Sequence, residues 1–212
     1  MKFKDWESKY QEIIKDMGYD RSMDEHAAEL LSEMLYLTEP TRLAQVDRLE
    51  ALVQGKEILV CGNAPSLRAE LEDVDLSGYC IIAADGATVH LLDAGFVPQI
   101  IVTDLDGAVD SEIEASHRGA VLVVHAHGDN IEVVRTTIPH LYNIIGSTQA
   151  TPLENVYNFG GFTDGDRCVF LAKEFNAASV TLIGFDFDDD AVTPIKARKL
   201  DWARRLIDVA LG

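Results

Sequence analysis

Cysteine is scarce in this chain. Among 212 residues there are three, Cys61, Cys80 and Cys168, with no Cys-x-x-Cys pair. An odd, scattered set argues against a disulfide framework, and each lies in or beside an apolar stretch, as a buried thiol of a reducing compartment does. Positive charge is short as well: 18 Lys and Arg face 36 Asp and Glu, a net charge of −18. A field of that sign repels phosphate, so nucleic-acid binding is not expected. ATP would be repelled too, unless metal ions stand between carboxylates and phosphates. No run approaches ~20 apolar residues, so no membrane span is expected. The opening MKFKDWESKYQEIIKDMG is charged every few residues and lacks the apolar core of a signal peptide, which leaves the cytoplasm as the expected compartment. There is no internal repeat, low-complexity tract or Gly/Ser linker. A hydrophobic content of 47% over this length suits one folded domain, or one domain with an appendage.

Residues 1–55 read as a helical extension. Ser22 and Glu25 have capping-box spacing, followed at helical intervals by Ala27, Leu30, Leu31, Met34 and Leu35. Pro40 suits a first helical turn, Leu43, Val46, Leu49 and Leu52 continue at helical spacing, and Gly55 is a natural stop. The extension holds no cluster of reactive groups, so its expected role is packing. Residues 56–212 change character. Short β-rich runs (Glu57–Cys61, Tyr79–Ala84, Gln99–Thr103, Ala120–His125, Tyr142–Ile145, Val156–Phe159, Ser179–Phe185) alternate with helical stretches. Several are almost continuously apolar, as parallel strands buried on both faces are. The expectation is an α/β domain with a wound, mostly parallel sheet and flanking helices.

The unusual polar clusters fall where these strands end, which is where open α/β sheets bind ligands. Gly62-Asn63-Ala64-Pro65-Ser66 could cradle phosphate, with Ser66 capping the next helix. It matches neither Gly-x-x-x-x-Gly-Lys-Ser/Thr nor Gly-x-Gly-x-x-Gly, and a tight strand-to-helix turn explains it equally well. Asp104 and Asp106, two apart in Asp-Leu-Asp-Gly, cannot both ionise cheaply unless a cation is shared, and hard oxygen ligands suit Mg²⁺. Asp and Gly are also ordinary turn formers; Asp85-Gly86, directly after another apolar run, tips the reading toward metal. His125 and His127, with Asp129, could ligate Zn²⁺, donate to phosphate or shuttle a proton, or simply belong to a polar loop. Gly160-Gly161-Phe162-Thr163-Asp164-Gly165-Asp166-Arg167 opens a helix. Its aspartates are favourable there on dipole grounds alone, while Arg167 could offset charge on a transferring phosphoryl group.

In order along the chain, CGNAPSL, AADGAT, PQIIVTDLDG, HAHGDN and GFTDGDR resemble the archaeal 6-hydroxymethyl-7,8-dihydropterin pyrophosphokinases, the MptE-like group. The closing Lys196, Lys199, Leu200, Trp202 and Ala203 are similar to the same group's ending. Asp85-Gly86, Asp104-x-Asp106 and Thr163-Asp164 are more distantly similar to elements of thiamin pyrophosphokinase. The resemblance spans Lys56 to Arg205. It implies Mg²⁺-dependent transfer of the terminal diphosphate of ATP to the hydroxymethyl oxygen of a dihydropterin, in tetrahydromethanopterin or folate-type pterin synthesis. It places Asp85, Asp104 and Asp106 at metal, with His125, His127 and Asp129 beside the phosphates. Gly62, Asn63, Ser66, Gly86, Thr163, Asp164, Asp166 and Arg167 would lie near ATP, and Asp129 or Asp164 could face the aminopyrimidine. The expected partners are ATP and the pterin, with no nucleic acid and no membrane; a homodimer is compatible with the reading. Two other functions compete with it: a Zn²⁺- or Mn²⁺-dependent phosphohydrolase, and a non-catalytic nucleotide-binding or glycan-modification module.

Overall fold

Apolar runs become parallel strands buried from both sides. The computed structural model describes residues 3–212. Its strands are β1 (Glu57–Cys61), β2 (Cys80–Ala84), β3 (Ile100–Thr103), β4 (Val121–Ala126), β5 (Ile144–Thr148), β6 (Val156–Tyr157) and β7 (Ser179–Ile183). They form one sheet in the order β6-β5-β4-β3-β2-β1-β7, with every neighbouring pair parallel. Side chains alternate across it. Leu59, Ile81, Ala83, Ile101, Leu122 and Val124 pack into one core layer, and Ile58, Val60, Ile82, Ile100, Val121 and Val123 into the other. That period of two, with both layers dry, explains why the runs looked continuous.

The helices are α1 (Phe3–Met17), α2 (Arg21–Leu37), α3 (Val46–Val53), α4 (Leu67–Asp73), α5 (Ala87–Asp93), α6 (Val109–His117), α7 (Ile131–Thr137), α8 (Asp164–Glu174) and α9 (Pro194–Leu211). The described residues 3–55 are mostly helical, as expected, and join the same cores. Ala27, Ala28, Leu31 and Leu35 of α2 enter the first layer, and Leu49 and Val53 of α3 the second. Trp6, Tyr10, Ile13 and Ile14 of α1 form a third cluster with Phe162, Phe170 and Leu206. No described helix is long and apolar enough to cross a membrane.

Local details differ from expectation. α2 is capped by Asp20, whose carboxylate accepts from the Ser22 amide at 2.9 Å; Glu25 bonds to Arg21 instead of closing a box with Ser22. The fifth strand is Ile144–Thr148 rather than Tyr142–Ile145. Its polar end, Ser147-Thr148, reads as loop in the sequence but pairs with His125-Ala126 of β4.

The cysteines are free thiols. Burial pushes Cys61 up to about 12 and Cys80 to about 11, and raises Cys168 well above the ordinary thiol range. Thiolate is the reactive form, so labelling by a thiol reagent at pH 8 is expected to require denaturant. Rapid native-state labelling would contradict this burial.

Candidate active site

The strand order lays the polar clusters side by side along one rim. Loops after β7 and β1 stand at one end, those after β2 and β3 in the middle, and those after β4, β5 and β6 at the other. They share a cavity of about 520 Å³, a size typical of small-molecule sites. It is lined by Gly62, Asn63, Asp85, Asp104, Asp106, His127, Asp129, Thr163, Asp164 and Arg167 among the residues expected from sequence.

The middle of the rim carries the carboxylates. Asp85 and Leu105 have positive φ (39° and 64°), an uncommon conformation for side-chain-bearing residues and one that recurs at functional turns. Thr103 holds both turns: its hydroxyl lies 3.2 Å from Asp85 Oδ1, and its oxygen accepts the Leu105 amide at 2.8 Å. Two glycines make room. A Cβ on Gly107 would collide with the Asp85 carboxylate, and one on Gly86 with the Asn63 amide. Gly86 therefore acts by letting Asn63 reach the cavity, which Gly86 itself does not line.

Asp104 and Asp106 titrate apart. Burial opposes ionisation of Asp104, but the His127 hydrogen bond and the Arg167 charge win and hold its carboxyl well below the usual range. Asp106 is pushed up to about 6 by burial and by the charges of Asp104 and Asp85. His127 Nε2 lies 3.3 Å from Asp104 Oδ2, while the Asp129 amide donates to Nδ1 at 3.3 Å. With Nδ1 accepting, the ring proton sits on Nε2 and points at Asp104. Asn130 locks this loop by donating to the carbonyls of Asp104 and His125, both at 2.7 Å.

The carboxylates fit a divalent ion only in part. Among the described residues no three His, Cys, Asp or Glu side chains converge closely enough to hold a metal by themselves. Mg²⁺ does not require such a cage. It is commonly held by one or two carboxylates, substrate phosphates and water. Asp104 and Asp106, with Asp85 behind them, match that open arrangement and not a preformed Zn²⁺ site.

Several expected site residues have other duties. His125 lies inside β4 and is buried. Its Nδ1 is 3.2 Å from the Ser147 hydroxyl, its Nε2 has no protein partner, and burial keeps its pKa well below the ordinary value. With Arg167 it lines a separate space of about 10 Å³ rather than the main cavity. It lies off the cavity that His127 lines. Ser66 precedes α4 but makes no capping bond, is exposed and lies off the cavity. Asp166 is fully buried and completes a capping box at the start of α8. Its two oxygens accept the Phe162 amide at 2.6 Å and the Thr163 amide at 2.7 Å. It shapes the loop and does not line the cavity. Gly62 packs against Gly184 where β1 and β7 end. Asp164, raised well above normal by burial and the Asp104 charge, is 3.1 Å from Arg167. Arg167 also donates to Gln149 at 3.1 Å.

Sequence reasoning missed other contributors. Gly18, Tyr19, Asp20, Met23 and Asp24, from the α1–α2 junction, line the cavity, as do Lys196 and Lys199 of α9, known from the sequence only as part of the closing motif. Glu112 of α6 is fully buried, and neither oxygen has a hydrogen-bond partner of ordinary geometry. Burial and the neighbouring Asp85 charge push it up to about 9. A carboxyl held protonated in the fold, but ionised above about pH 4.5 when unfolded, makes stability fall as pH rises from there through 9. Glu112→Gln is expected to stabilise the protein by on the order of 2 kcal/mol at pH 8, and by much less at pH 5. Urea melts at the two pH values test this; a pH-independent effect would count against it.

Comparison with known proteins identifies the family. A family model described as 6-hydroxymethylpterin diphosphokinase MptE-like matches residues 32–191. Curated proteins named 6-hydroxymethyl-7,8-dihydropterin pyrophosphokinase are similar over nearly their whole length. That of Methanothermobacter thermautotrophicus is 42% identical over 96% of this chain and 92% of its own. That of Pyrococcus furiosus is 40% identical (98% and 94%), and that of Methanocaldococcus jannaschii 38% (98% and 95%). The matched span takes in the rim loops after β1 through β7, and at this extent and identity the chain belongs to the MptE-like 6-hydroxymethylpterin diphosphokinase family.

Proposed function

We propose that this protein is a pterin pyrophosphokinase that uses ATP and Mg²⁺. The hydroxymethyl oxygen of 6-hydroxymethyl-7,8-dihydropterin attacks the β-phosphorus of ATP. The bond between the bridging oxygen and the β-phosphorus breaks, AMP leaves, the hydroxyl proton departs to a base or solvent, and the pterin diphosphate forms. The reaction belongs to tetrahydromethanopterin or folate-type pterin synthesis in the cytoplasm of an archaeal cell. The observation that carries this reading is the single cavity onto which the strand-end motifs open, in a chain related almost end to end to proteins of that name.

Phosphoryl-group transfer asks little covalent work of a protein; positioning and charge compensation dominate. Asp104 and Asp106, with Asp85, would hold Mg²⁺, which would supply charge neutralisation at the phosphate oxygens. His127 holds Asp104 ionised and oriented through Nε2–H. Because Nδ1 already accepts the Asp129 amide, its first role is that of a positioning residue. Arg167, fixed by Asp164 and Gln149, presents its charge to the same cavity. The Gly62–Pro65 loop and Thr163 contribute polar groups near the nucleotide.

The deciding experiment incubates protein with ATP and Mg²⁺, with and without the hydroxymethyl-dihydropterin. AMP and the pterin diphosphate are expected in equal amounts and only when both substrates are present. Phosphate release without pterin would favour a hydrolase instead, and binding of nucleotide with no turnover would favour a non-catalytic module.

A further inference from the structure

We infer that His125 is a positioning residue for Arg167, acting through one buried water that accepts from the Arg167 Nε–H and donates to His125 Nε2. The inference rests on the reading of Arg167 as a cation facing substrate phosphates. It deepens that reading by giving the buried histidine of the His-x-His pair a part in the reaction.

Two orphaned atoms belong to the lining of one small space. Among the described residues, His125 Nε2 and Arg167 Nε are buried and have no hydrogen-bond partner. Their residues are 1% and 7% exposed. Both residues line the space of about 10 Å³, and a cavity of about that size holds a single water. Val102, Val123, Phe159 and Leu171 make much of the remaining wall apolar. A polar atom left unpaired in such a wall carries its full desolvation cost. One water with a partner on each side removes both costs.

The proton directions agree with this. The Ser147 hydroxyl donates to the Val124 carbonyl at 3.3 Å, which leaves its oxygen to accept from His125 Nδ1 at 3.2 Å. The ring proton is then on Nδ1, and Nε2 carries a lone pair. Burial first, and the Arg167 charge next, lower the pKa of His125 and keep the ring neutral. Nε2 is therefore an acceptor, while Arg167 Nε is only a donor. No direct bond joins them, and a water offers its oxygen to the arginine and an O–H to the histidine.

Arg167 is the one residue that lines both this space and the main cavity. Its Nη1 donates to Asp164 and its Nη2 to Gln149, each at 3.1 Å. An anchor at Nε fixes the guanidinium plane at all three nitrogens. It leaves one N–H on each terminal nitrogen for phosphate oxygens. Without that anchor the plane is free to rock about the other two.

A crystal structure showing ordered solvent is expected to place one water within hydrogen-bonding distance of both His125 Nε2 and Arg167 Nε. A dry space, or a direct bond between the two side chains, would overturn the link. Histidine ¹⁵N NMR is expected to show Nδ1 protonated and Nε2 bare, and the opposite tautomer would overturn it too. The kinetic test is a double-mutant cycle. His125→Leu is expected to lower kcat about tenfold. His125→Gln, whose amide oxygen replaces the lost acceptor, is expected to restore most of it. Arg167→Lys has no Nε–H, so adding His125→Leu to it is expected to change kcat by less than about twofold. Equal losses in both backgrounds would mean that His125 serves only the fold. Should His125→Leu fail to fold, the solvent and tautomer of the wild type still decide. If the wild type formed no AMP from ATP and the pterin, the pyrophosphokinase reading itself would fall, whereas the water and the tautomer would stand.

Discussion

Asp106→Asn is expected to lower kcat by about 100- to 1000-fold while leaving the protein as stable as wild type or more so. The two halves of this prediction share one cause. Asp106 is exposed on the rim and ionises against Asp104 and Asp85; its pKa is pushed up to about 6 by partial desolvation first and by those charges next. In the fold without metal, that charge works against stability above pH 6. A group whose folded pKa lies above its unfolded value contributes most at low pH and progressively less as pH rises through 6. Asparagine removes the repulsion and keeps the shape. After discounting for solvent screening, the gain at pH 8 is about 1 kcal/mol. The same charge would help hold a divalent ion beside the substrate phosphates, so the cost of its removal is expected in turnover. Binding energy set aside for function at the expense of stability is a common pattern at active sites. AMP release and thermal melts on the same preparation test both halves. Near-wild-type kcat would remove Asp106 from the charge-compensating machinery, and a large drop in melting temperature would show that its role is structural.

The sheet was legible because its residues are simple. A parallel strand with both faces buried needs apolar side chains at nearly every position, and β1 to β4 have them. The same rule accounts for the site: once strands are located, their carboxyl ends mark the ligand rim, and Asp85, Asp104, Asp106 and His127 follow. The errors have equally physical origins. β4 ends at Ala126, one residue past the expected run Ala120–His125, and His125 within it faces the core beneath the cavity instead of standing on the rim with His127. Ser147 and Thr148 are polar yet strand-paired, which hid Gln149 as the next residue on the rim. Asp166 reads as an available carboxylate, but three positions after Thr163 it closes a capping box. The contribution of the N-terminal helices was invisible for a different reason. Nothing local marks Tyr19 or Asp24 as cavity residues, since Phe162, Gly128 and Gln149, which they meet there, lie more than a hundred positions away.

Asp24 carries that long-range connection, and Asp24→Ala is expected to destabilise the protein by about 3 kcal/mol and to weaken acceptor binding with it. The residue is 5% exposed and saturated with donors. Oδ1 accepts the Gly128 amide at 3.0 Å. Oδ2 accepts the Tyr10 hydroxyl and the Gln149 amide, both at 2.7 Å. One carboxylate thus ties α1 and α2 to the loops after β4 and β5. Truncation leaves a buried phenol, a buried side-chain amide and a loop N–H without their acceptor, and such orphaned groups cost more than the net worth of the bonds. Asparagine is a poor substitute because it has one acceptor oxygen for three donors and turns its own NH₂ toward the others. Asp24→Asn is therefore expected to lie nearer to alanine than to wild type. The consequence reaches the rim through Gly128, whose tight packing on Met23 leaves no space for a Cβ, and through Gln149, which holds Arg167. Urea denaturation gives the stability, and the KM for pterin measured beside the KM for ATP gives the functional effect. A global loss of both affinities would mean that Asp24 only supports the fold. A rise in the pterin KM, in a protein still folded at the assay temperature, is the expected outcome, because Asp24 and the Gly128 and Gln149 groups that it holds line the same cavity.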